Sequence, residues 1–409
     1  MHDYEIQILN SSLQVIGKVI DPLPLGASGN ILEFSKELSD FGQCHFRVSS
    51  FDPILIQYGD IFQPHTNHVR ILRHGVIVWH GAIIENAKRS SQYWDVLAAE
   101  YEFYLNKIMI LRSSIDPNGG GADGVYRIFN SGTMAAAVTA MINESIATLN
   151  TPTNSASPLA GMTVGTIQNP NYPPNMTDAG GNLLTGAWNF IPYTTPNSGL
   201  QLTYDFQTVL YAIQQLGIYA YADFYLDSNL VFNFVTFKGN NLSGHVNFIF
   251  NVDPHKSNSN IIDYSIPRLG QRQTNDIIGV ATDTNGSILH DEQTDQASIT
   301  KYGLLQGVAA YTDIKDQGIL DVRIQAELPL VSTLNSTNAT VVLNQSSAFP
   351  LGQWDIGDIV TVQIYNNGVN FNKIMRVVGV SVAVGDTGRE LTTCQLNTPL
   401  PWQLQAIGA

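Results

Sequence analysis

The sequence near the C-terminus decides the fold class. It contains the run Ile359-Val360-Thr361-Val362-Gln363-Ile364, followed closely by Asn366-Asn367-Gly368. The first stretch is rich in β-branched residues and the second has the composition of a tight turn, so together they predict one arm of a β-hairpin. Val380, Val382 and Val384 then alternate with smaller residues. Such alternation predicts antiparallel strands with one face on a core and the other face open.

The rest of the C-terminal segment supports this β character. Gly385-Asp386-Thr387-Gly388 is a second turn, and it leads into a predicted strand at 390–396. Upstream, 276–281 and 307–311 are short predicted strands on either side of the polar stretch 283–295. Residues 313–328 fit a helix despite Gly318.

The first 112 residues are also predicted to be β. The clearest hairpin joins Val69-Arg70-Ile71-Leu72-Arg73 to Val76-Ile77-Val78-Trp79 through His74-Gly75, where glycine supplies the positive φ of a tight turn. Short strands at this even spacing predict a barrel or a sandwich. The other predicted strands are 6–9 and 13–16, which flank Asn10-Ser11-Ser12, then 41–48, which ends at the loop around Asp52-Pro53, and 93–98.

The middle of the chain changes to a mixed pattern. Residues 133–149 have one apolar stripe at helical spacing, and Ser131 or Thr133 can cap the start of this helix. A second predicted helix runs from Asp205, as N-cap, to Gly217. It leads into a hairpin with arms at 218–226 and 230–237, which predicts a small α+β module. The stripe of the first helix consists of Met134, Val138, Met141, Ile142 and Leu149.

Residues 150–204 form a long stretch whose only charged residue is Asp178. Loops of this length are usually disordered or committed to a partner. Disorder normally accompanies high charge, whereas this stretch carries several large apolar residues, so we expect it to pack on a neighbouring molecule. The residues are Trp188, Phe190, Ile191 and Tyr193.

These patterns predict a mainly β protein in which two barrel-like β domains flank a helix-plus-hairpin module. The first β domain is assigned to residues 1–112. The α+β insertion, with its uncharged loop, occupies 113–259. The second β domain, with a short helix, occupies 260–409.

Composition excludes several function classes. Charged residues make up 13% of the 409 residues, against roughly 25% in ordinary soluble proteins, and the net charge is −14. Clustered Lys and Arg are needed to bind a phosphate backbone, so stable nucleic-acid binding is not expected. The N-terminus lacks the pattern of a secretory signal, and no run approaches the 18 apolar residues of a spanning helix. Two cysteines, Cys44 and Cys394, are expected to be core thiols.

Histidines and loops give no recognisable metal or cofactor site. His65 and His68 lie in a loop without an acidic or cysteine ligand at a useful spacing, and His74 and His80 are expected to be structural. Asp116-Pro117-Asn118-Gly119-Gly120-Gly121-Ala122-Asp123 matches neither a calcium loop nor a phosphate loop, so we interpret it as a connection between domains.

Carboxyl groups give no catalytic motif either. Glu85, Glu100 and Glu102 lie in or beside predicted strands, where any two could flank a glycosidic bond. Nearly every β protein of this length offers such a pair, and Gly-x-Ser-x-Gly is absent. The sequence therefore predicts no catalytic residue, no cofactor and no metal, and the protein is not expected to be an enzyme. Asn-x-Ser/Thr triplets, at Asn175, Asn241, Asn335 and Asn338 among others, are interpreted as chance.

Three stretches together resemble the tail hub proteins of long-tailed bacteriophages, a family with relatives in contractile baseplates and type VI secretion spikes. They are Ala297-Ser298-Ile299-Thr300-Lys301-Tyr302-Gly303, then Leu351 with Ile356-Gly357-Asp358-Ile359-Val360-Thr361-Val362, and Met375-Arg376-Val377-Val378-Gly379-Val380-Ser381-Val382. The predicted strand pair at 71–84 and the order of parts along the chain also match. The resemblance covers most of the chain and is weakest at 150–204.

The resemblance implies a homotrimer at the distal end of a tail tube, assembled in the host cytoplasm and located at the virion tail tip. Two similar β domains per subunit would adapt a sixfold tube to a threefold tip. Expected partners are the tail tube or distal tail protein, the tape-measure protein and a tip or spike protein, with genomic DNA only in transit. An acidic bore would repel the DNA and let it slide.

Other functions stay open at this stage. The chain can instead be a distal-tail adaptor or a receptor- or glycan-binding tip component, with Trp188, Phe190 and Tyr193 offering aromatic contacts. A β-rich glycan hydrolase would rely on the glutamates already named. A cellular lectin or adhesin is disfavoured because no signal sequence is visible.

Overall fold

The computed structural model describes most of the chain, and the structural statements below concern the described residues alone. These are residues 3–20, 22–25, 28–88, 92–110, 127–129, 132–149, 157–171, 185–186, 189–190, 202–204, 207–251, 259–267, 273–283, 285–312, 314–332, 338–344, 349–366 and 369–399.

Strands dominate the described residues, so the fold is mainly β, as the sequence predicts. In chain order the strands are β1 (Tyr4–Leu9), β2 (Val15–Val19), β3 (Pro22–Leu23), β4 (Asn30–Glu37), β5 (Gln43–Ser49), β6 (His68–Arg73), β7 (Val76–Lys88), β8 (Tyr93–Ala99), β9 (Arg127–Phe129), β10 (Gly132–Thr133), β11 (Thr163–Ile167), β12 (Asn189–Phe190), β13 (Leu202–Tyr204), β14 (Asp223–Leu226), β15 (Val231–Val235), β16 (Asn247–Asn251), β17 (Ile261–Ser265), β18 (Asp276–Thr282), β19 (Ile288–Thr294), β20 (Gln306–Tyr311), β21 (Ala339–Asn344), β22 (Ile359–Asn366), β23 (Val369–Gly385) and β24 (Glu390–Asn397).

Helices are fewer, and side chains or backbone groups cap their ends. Asp52 accepts a hydrogen bond from the backbone N–H of Ile54 and so begins a short helix where the sequence predicts a loop. Thr133 Oγ1 accepts from Ala136 N at 3.2 Å, which confirms one of the two predicted caps. The helices are α1 (Pro53–Tyr58), α2 (Glu102–Leu105), α3 (Met134–Leu149), α4 (Val209–Ala220), α5 (Gln296–Tyr302) and α6 (Gln317–Val331).

One 14-stranded sheet contains strands from the N-terminal and the C-terminal parts of the described chain, and β23 joins these two parts. The first half of this 17-residue strand pairs with β22, and its second half lies between β24 and β4. Val382 of β23 stands opposite Phe34 of β4, so the N-terminal β region (β1–β8) and the C-terminal β region (β16, β17 and β21–β24) share one hydrogen-bonded sheet.

Closure of either β region into a barrel stays a prediction. Among the described strands, the main hydrogen-bonded path runs β17-β21-β24-β23-β4-β5-β8-β7-β6-β1-β2 and does not return on itself.

The hairpin predicted at His74-Gly75 is confirmed as the connection between β6 and β7, with φ values of 48° and 81° at the two turn residues. Positive φ at both central residues is the backbone of a type I′ turn.

The helix–hairpin module (α3, α4, β14 and β15) differs from the prediction in its boundaries. Thr208, rather than Asp205, is the N-cap of α4, since its hydroxyl accepts from Tyr211 N at 3.2 Å. The helix continues past Gly217 to Ala220 and ends at Tyr221, which has φ 49°. The predicted strand at 218–226 therefore begins only at Asp223, and Asp205 lies outside the described residues.

Two further predictions change in the segment that follows. The polar stretch 283–295, for which no strand was predicted, contains β19, which pairs with β18 over seven positions. The helix predicted from residue 313 begins at Gln317, where Asp316 accepts from Ile319 N at 3.1 Å.

Two hydrophobic cores follow from this topology. The first lies within the shared sheet and combines residues of both β regions, among them Phe46, Trp79 and Trp354. The second combines α3, α4 and the hairpin with residues of β18 and α6, such as Ile277 and Leu320. The domain boundaries at 112/113 and 259/260 stay a prediction. Cys44 and Cys394 are both free and fully buried, as predicted for core thiols.

Candidate functional site: a buried ionic junction

The predicted candidate residues do not come together as a catalytic or metal site. His65 Nδ1 lies 2.9 Å from the hydroxyl of Tyr104, whereas the buried ring of His68 packs edge-on against Tyr101. Within the described residues, no group of three or more His, Cys, Asp or Glu side chains is arranged to hold a metal ion. No described helix is long and apolar enough to cross a membrane. Residues 116–123, Trp188, Ile191 and Tyr193 lie outside the described part, and the side chain of Phe190 is not described.

The three candidate glutamates do not form an accessible acid pair. Glu85 is exposed, whereas Glu100 and Glu102 are each only 6% exposed. Glu100 Oε2 accepts from Gly42 N, and Glu102 Oε1 accepts from Leu226 N, both at 2.7 Å. These two carboxyls are held by backbone groups inside the protein, which points to a structural role.

A buried two-point ion pair joins the C-terminal β region to the helix–hairpin module. Arg376 of β23 binds Asp223 of β14 in a two-point contact, with N···O distances of 2.5 and 3.2 Å, and both side chains are buried. Arg376 also donates to Gly357 O at 3.1 Å and to Lys238 O at 2.8 Å. Its guanidinium lies 4.1 Å from the centre of the Phe237 ring. Such a two-point contact fixes geometry as well as charge.

The motif Ile356-Gly357-Asp358 is part of this contact. Gly357 has φ 94°, and a Cβ built on it would lie 2.4 Å from Lys238 O. Gly239 has φ 113°, and its Cβ would lie 2.3 Å from the carbonyl carbon of Gly357. Asp358 Oδ1 accepts from Asn240 N at 2.7 Å. The two glycines, Gly357 and Gly239, thus allow the backbone segments 356–358 and 238–240 to cross in direct contact. The hydrogen bond from Asn240 N to Asp358 stabilises this crossing.

A group of ionisable side chains lies around this crossing. Lys36 of β4 forms an ion pair with Asp355, and Asp355 N donates to Asp358 Oδ2 at 2.8 Å. Lys238 Nζ lies 4.7 Å from the centre of the Tyr225 ring. We call Lys36, Glu100, Glu102, Lys238 and Asp355, with the Arg376–Asp223 pair, the ionic junction. It brings together the N-terminal β region, the helix–hairpin module and the C-terminal β region.

A second buried ion pair connects the two β regions directly. Arg73 of β6 lies 3.0 Å from Glu390 of β24, and both side chains are almost fully buried. Arg73 also donates to Leu351 O at 3.2 Å, and the other oxygen of Glu390 accepts from Thr392 Oγ1 at 2.8 Å. The partners are therefore hydrogen-bonded as well as paired, which is the condition under which buried charges are tolerated.

Burial shifts the pKa values of several groups in the ionic junction and of two histidines, His68 and His80, that pack on the adjacent Tyr101. Burial, together with the neighbouring Glu102 carboxyl, raises the pKa of Glu100 to about 8. Burial lowers the pKa of His68 to about 4, and burial with the nearby Lys36 and Lys238 lowers the pKa of His80 to about 3. Burial also lowers the pKa of Lys238. The junction therefore holds groups whose charge depends on the surrounding fold.

We expect the unfolding free energy of His68→Leu to fall less between pH 7 and pH 4.5 than that of the unmodified protein. Because the pKa of His68 in the folded protein is depressed from 6.5 to about 4, the unfolded chain binds the proton first. Its contribution to stability is therefore present above about pH 6.5 and is lost as the pH falls towards 4. The variant should reduce the difference in unfolding free energy between pH 7 and pH 4.5 by about 2 kcal/mol, at one pKa unit per about 1.4 kcal/mol.

Urea unfolding at the two pH values measures this difference. His290→Leu is the control, because His290 is exposed on β19. An equal effect of both substitutions would contradict the assignment to burial at His68.

Comparison with known proteins identifies the fold. No protein-family model matches the chain, and no curated protein sequence matches it. The crystal structure of a tail protein from Neisseria meningitidis MC58 superimposes with a TM-score of 0.60 at 10% identity, covering 98% of each chain. The 43 kDa tail protein of prophage MuSo2 from Shewanella oneidensis gives 0.55 at 12% identity, covering 97% of this chain and 98% of its own.

A third solved structure agrees with these two. Prophage tail protein gp18 from Listeria monocytogenes EGD-e gives a TM-score of 0.51 at 13% identity, covering 98% of this chain and 97% of its own. The chain therefore has the fold of phage tail proteins, which confirms the relationship in fold that the sequence motifs predict. At identities of 10–13%, the likeness concerns the fold.

Proposed function

We propose that the chain is a structural subunit of a phage tail and forms the trimeric hub at the distal end of the tail tube. The observation that carries this proposal is the likeness in fold to tail proteins over 97–98% of the chain. Because the match includes both β regions and the module between them, it concerns the whole architecture rather than one common domain.

The internal contacts are suited to a structural subunit whose regions keep fixed relative positions. One sheet contains strands from both ends of the chain, and buried ion pairs connect the three parts of the molecule. Such contacts resist relative movement of the parts. They leave no accessible acid pair at Glu100 and Glu102, so these residues do not support the glycan hydrolase alternative.

The surface suits a subunit with several neighbours. Several large apolar side chains are between 72% and 74% exposed at separate places: Phe51 just before α1, Ile56 within α1, Ile288 on β19 and Val308 on β20. Scattered single apolar residues are normal on any protein surface, so these residues are compatible with contacts to neighbouring subunits without marking them. In the proposed ring these surfaces would meet other copies, the tube protein, the tape-measure protein or the tip.

A closed ring of three copies would place a bore on the threefold axis, through which the genome passes. The chain has an excess of acidic residues, with a net charge of −14, and an acidic bore would repel the DNA and let it slide. The protein would then be located in the virion tail, at its tip.

The mass of the native assembly tests the hub. We expect native mass spectrometry and negative-stain images of the purified chain to give a trimeric ring with a central opening. If the chain alone is monomeric, the same measurement is repeated after mixing with the tube protein, because a ring can require its neighbour in order to close. A chain that stays monomeric with its tube protein and binds immobilised glycans would instead be a receptor-binding tip component, and the hub proposal would be wrong.

A further inference from the structure

The small sheet of β18, β19 and β20 has β18 in its centre and one edge strand on either side. β19 runs antiparallel to β18 over seven positions, and β20 runs parallel to it over six, without a bulge in either pairing. Some backbone N–H and C=O groups of an edge strand always point away from its sheet, where another strand can bind them. The two edges of this sheet differ in how these groups are protected.

The β19 edge carries features that oppose pairing. Asp291 and Glu292 place two negative charges in the middle of the strand. The side-chain amide of Gln317, at the start of α6, donates to His290 O at 3.1 Å, so this carbonyl of β19 has a side-chain partner. Helix α6 also packs along β19. Charges and covering elements are common means by which proteins keep an edge strand from binding another strand.

The β20 edge lacks this protection. Its sequence, Gln306-Gly307-Val308-Ala309-Ala310-Tyr311, contains no charged residue and no proline. Within the described part of the chain, the backbone of this strand has hydrogen-bond partners only in β18. A regular, uncharged edge of six residues is the kind of strand that binds another strand.

Both ends of β20 are nevertheless held in place. Asn275, which is fully buried, donates from its backbone N to Leu305 O at 2.9 Å, and its side-chain oxygen accepts from Leu305 N at 2.7 Å. Its side-chain amide also donates to Gly303 O at 2.8 Å. At the other end, the hydroxyl of Tyr311 donates to Glu327 of α6 at 2.5 Å. The strand is therefore ordered before it meets a partner, which lowers the cost of binding.

The distribution of charge identifies a second copy of this chain as the partner that fits. A twofold axis makes two identical edge strands antiparallel and brings the middle of one against the middle of the other. Like charges that meet across such a pair destabilise it. Pairing of β19 with itself would bring Asp291 and Glu292 close to the same residues of the second copy. Pairing of β20 with itself brings no charges together, because the strand has none.

We propose that β20 pairs with β20 of a second copy about a twofold axis, so that the two small sheets form one continuous sheet of six strands. Val308, at the middle of the strand, would then lie against the same residue or against Ala310 of the second copy. This twofold contact differs from the threefold contact of the proposed ring, and it forms between free subunits without any other tail protein.

Sedimentation velocity over a range of protein concentrations tests this contact with two lysine variants. Val308→Lys brings ammonium groups together at the centre of the contact, and we expect it to weaken the twofold association by about tenfold or more. Ile288→Lys is the matched control. Ile288 is also 73% exposed and lies on the same face of the same sheet, but on β19, so this variant should associate like the unmodified protein.

Hydrogen exchange measured by mass spectrometry distinguishes strand pairing from contact through side chains alone. Peptides covering 306–311 should exchange more slowly at high than at low protein concentration, because outward-pointing amides of β20 become hydrogen-bonded. Peptides covering 288–294 should exchange equally at both concentrations.

A chain that stays monomeric, or an equal effect of Val308→Lys and Ile288→Lys, would overturn the proposal. Exchange at 306–311 that does not depend on concentration would do the same. A threefold ring that Val308→Lys leaves intact, with unprotected amides in β20, would support the hub and contradict the twofold contact, so the two proposals fail independently.

Discussion

Replacing Arg376 by methionine should cost about 3–5 kcal/mol of unfolding free energy, the typical loss when one partner of a buried ion pair is removed. The substitution leaves Asp223 buried with its negative charge unmatched, and it removes the donors to Gly357 O and Lys238 O. Asp223→Asn should have an effect of similar size, since the guanidinium would then be buried without a counter-charge. Urea unfolding followed by circular dichroism measures both.

Lys18→Met is the matched control for this prediction. Lys18 also forms an ion pair, 2.8 Å from Glu5, but the two side chains are 53% and 39% exposed. Exposed pairs contribute about 0–1 kcal/mol, so this variant should unfold almost like the unmodified protein. Similar losses for Arg376→Met and Lys18→Met would show that burial of the junction does not determine its contribution.

The sequence predicts the β architecture because its signals are local. The turn at His74-Gly75 needs only the residues within it, and alternating valines in β23 reveal an open and a buried face without reference to the rest of the chain. The predicted end of α4 at Gly217 was wrong because the role of this glycine depends on residues outside the helix. Gly217 is a common helix terminator, yet here its Cβ position lies 2.8 Å from Ala222 O, so tertiary packing explains the glycine.

The junction could not be predicted because its members are far apart in the sequence. Arg376 and Asp223 are separated by 153 positions, and Lys36 and Asp355 by 319. Glu100 and Glu102 stood out as possible catalytic acids, and only their burial separates that interpretation from a structural one. The one useful signal was the stretch Ile356-Gly357-Asp358, which pointed to a family through resemblance but did not reveal what the glycine does.

We expect Gly357→Ala to destabilise the protein by about 3 kcal/mol or more, the size typical of strain combined with loss of a buried network. Two effects add. The backbone at φ 94° disfavours any Cβ, and that Cβ would lie 2.4 Å from Lys238 O and 2.9 Å from Lys238 C. Because those atoms belong to the backbone, they can move only if the crossing opens, and that movement would break the bonds from Arg376 to Gly357 O and Lys238 O.

Gly388→Ala separates the two effects. Gly388 has φ 80° in the turn between β23 and β24, and no atom lies within 4 Å of its Cβ position. That variant should show the backbone strain alone, about 1–2 kcal/mol. Urea unfolding measures the unfolding free energy of both variants. The loss in Gly357→Ala beyond that in Gly388→Ala is then the contribution of the close contact between the two backbone segments. If the two variants lose the same amount, the glycine is needed only for its backbone angle. If Gly357→Ala loses more stability than Gly388→Ala, the close contact of Gly357 and Asp358 with the segment 238–240 contributes to stability. The Ile356-Gly357-Asp358 motif would then be explained by this contact between the C-terminal β region and the segment that follows the hairpin.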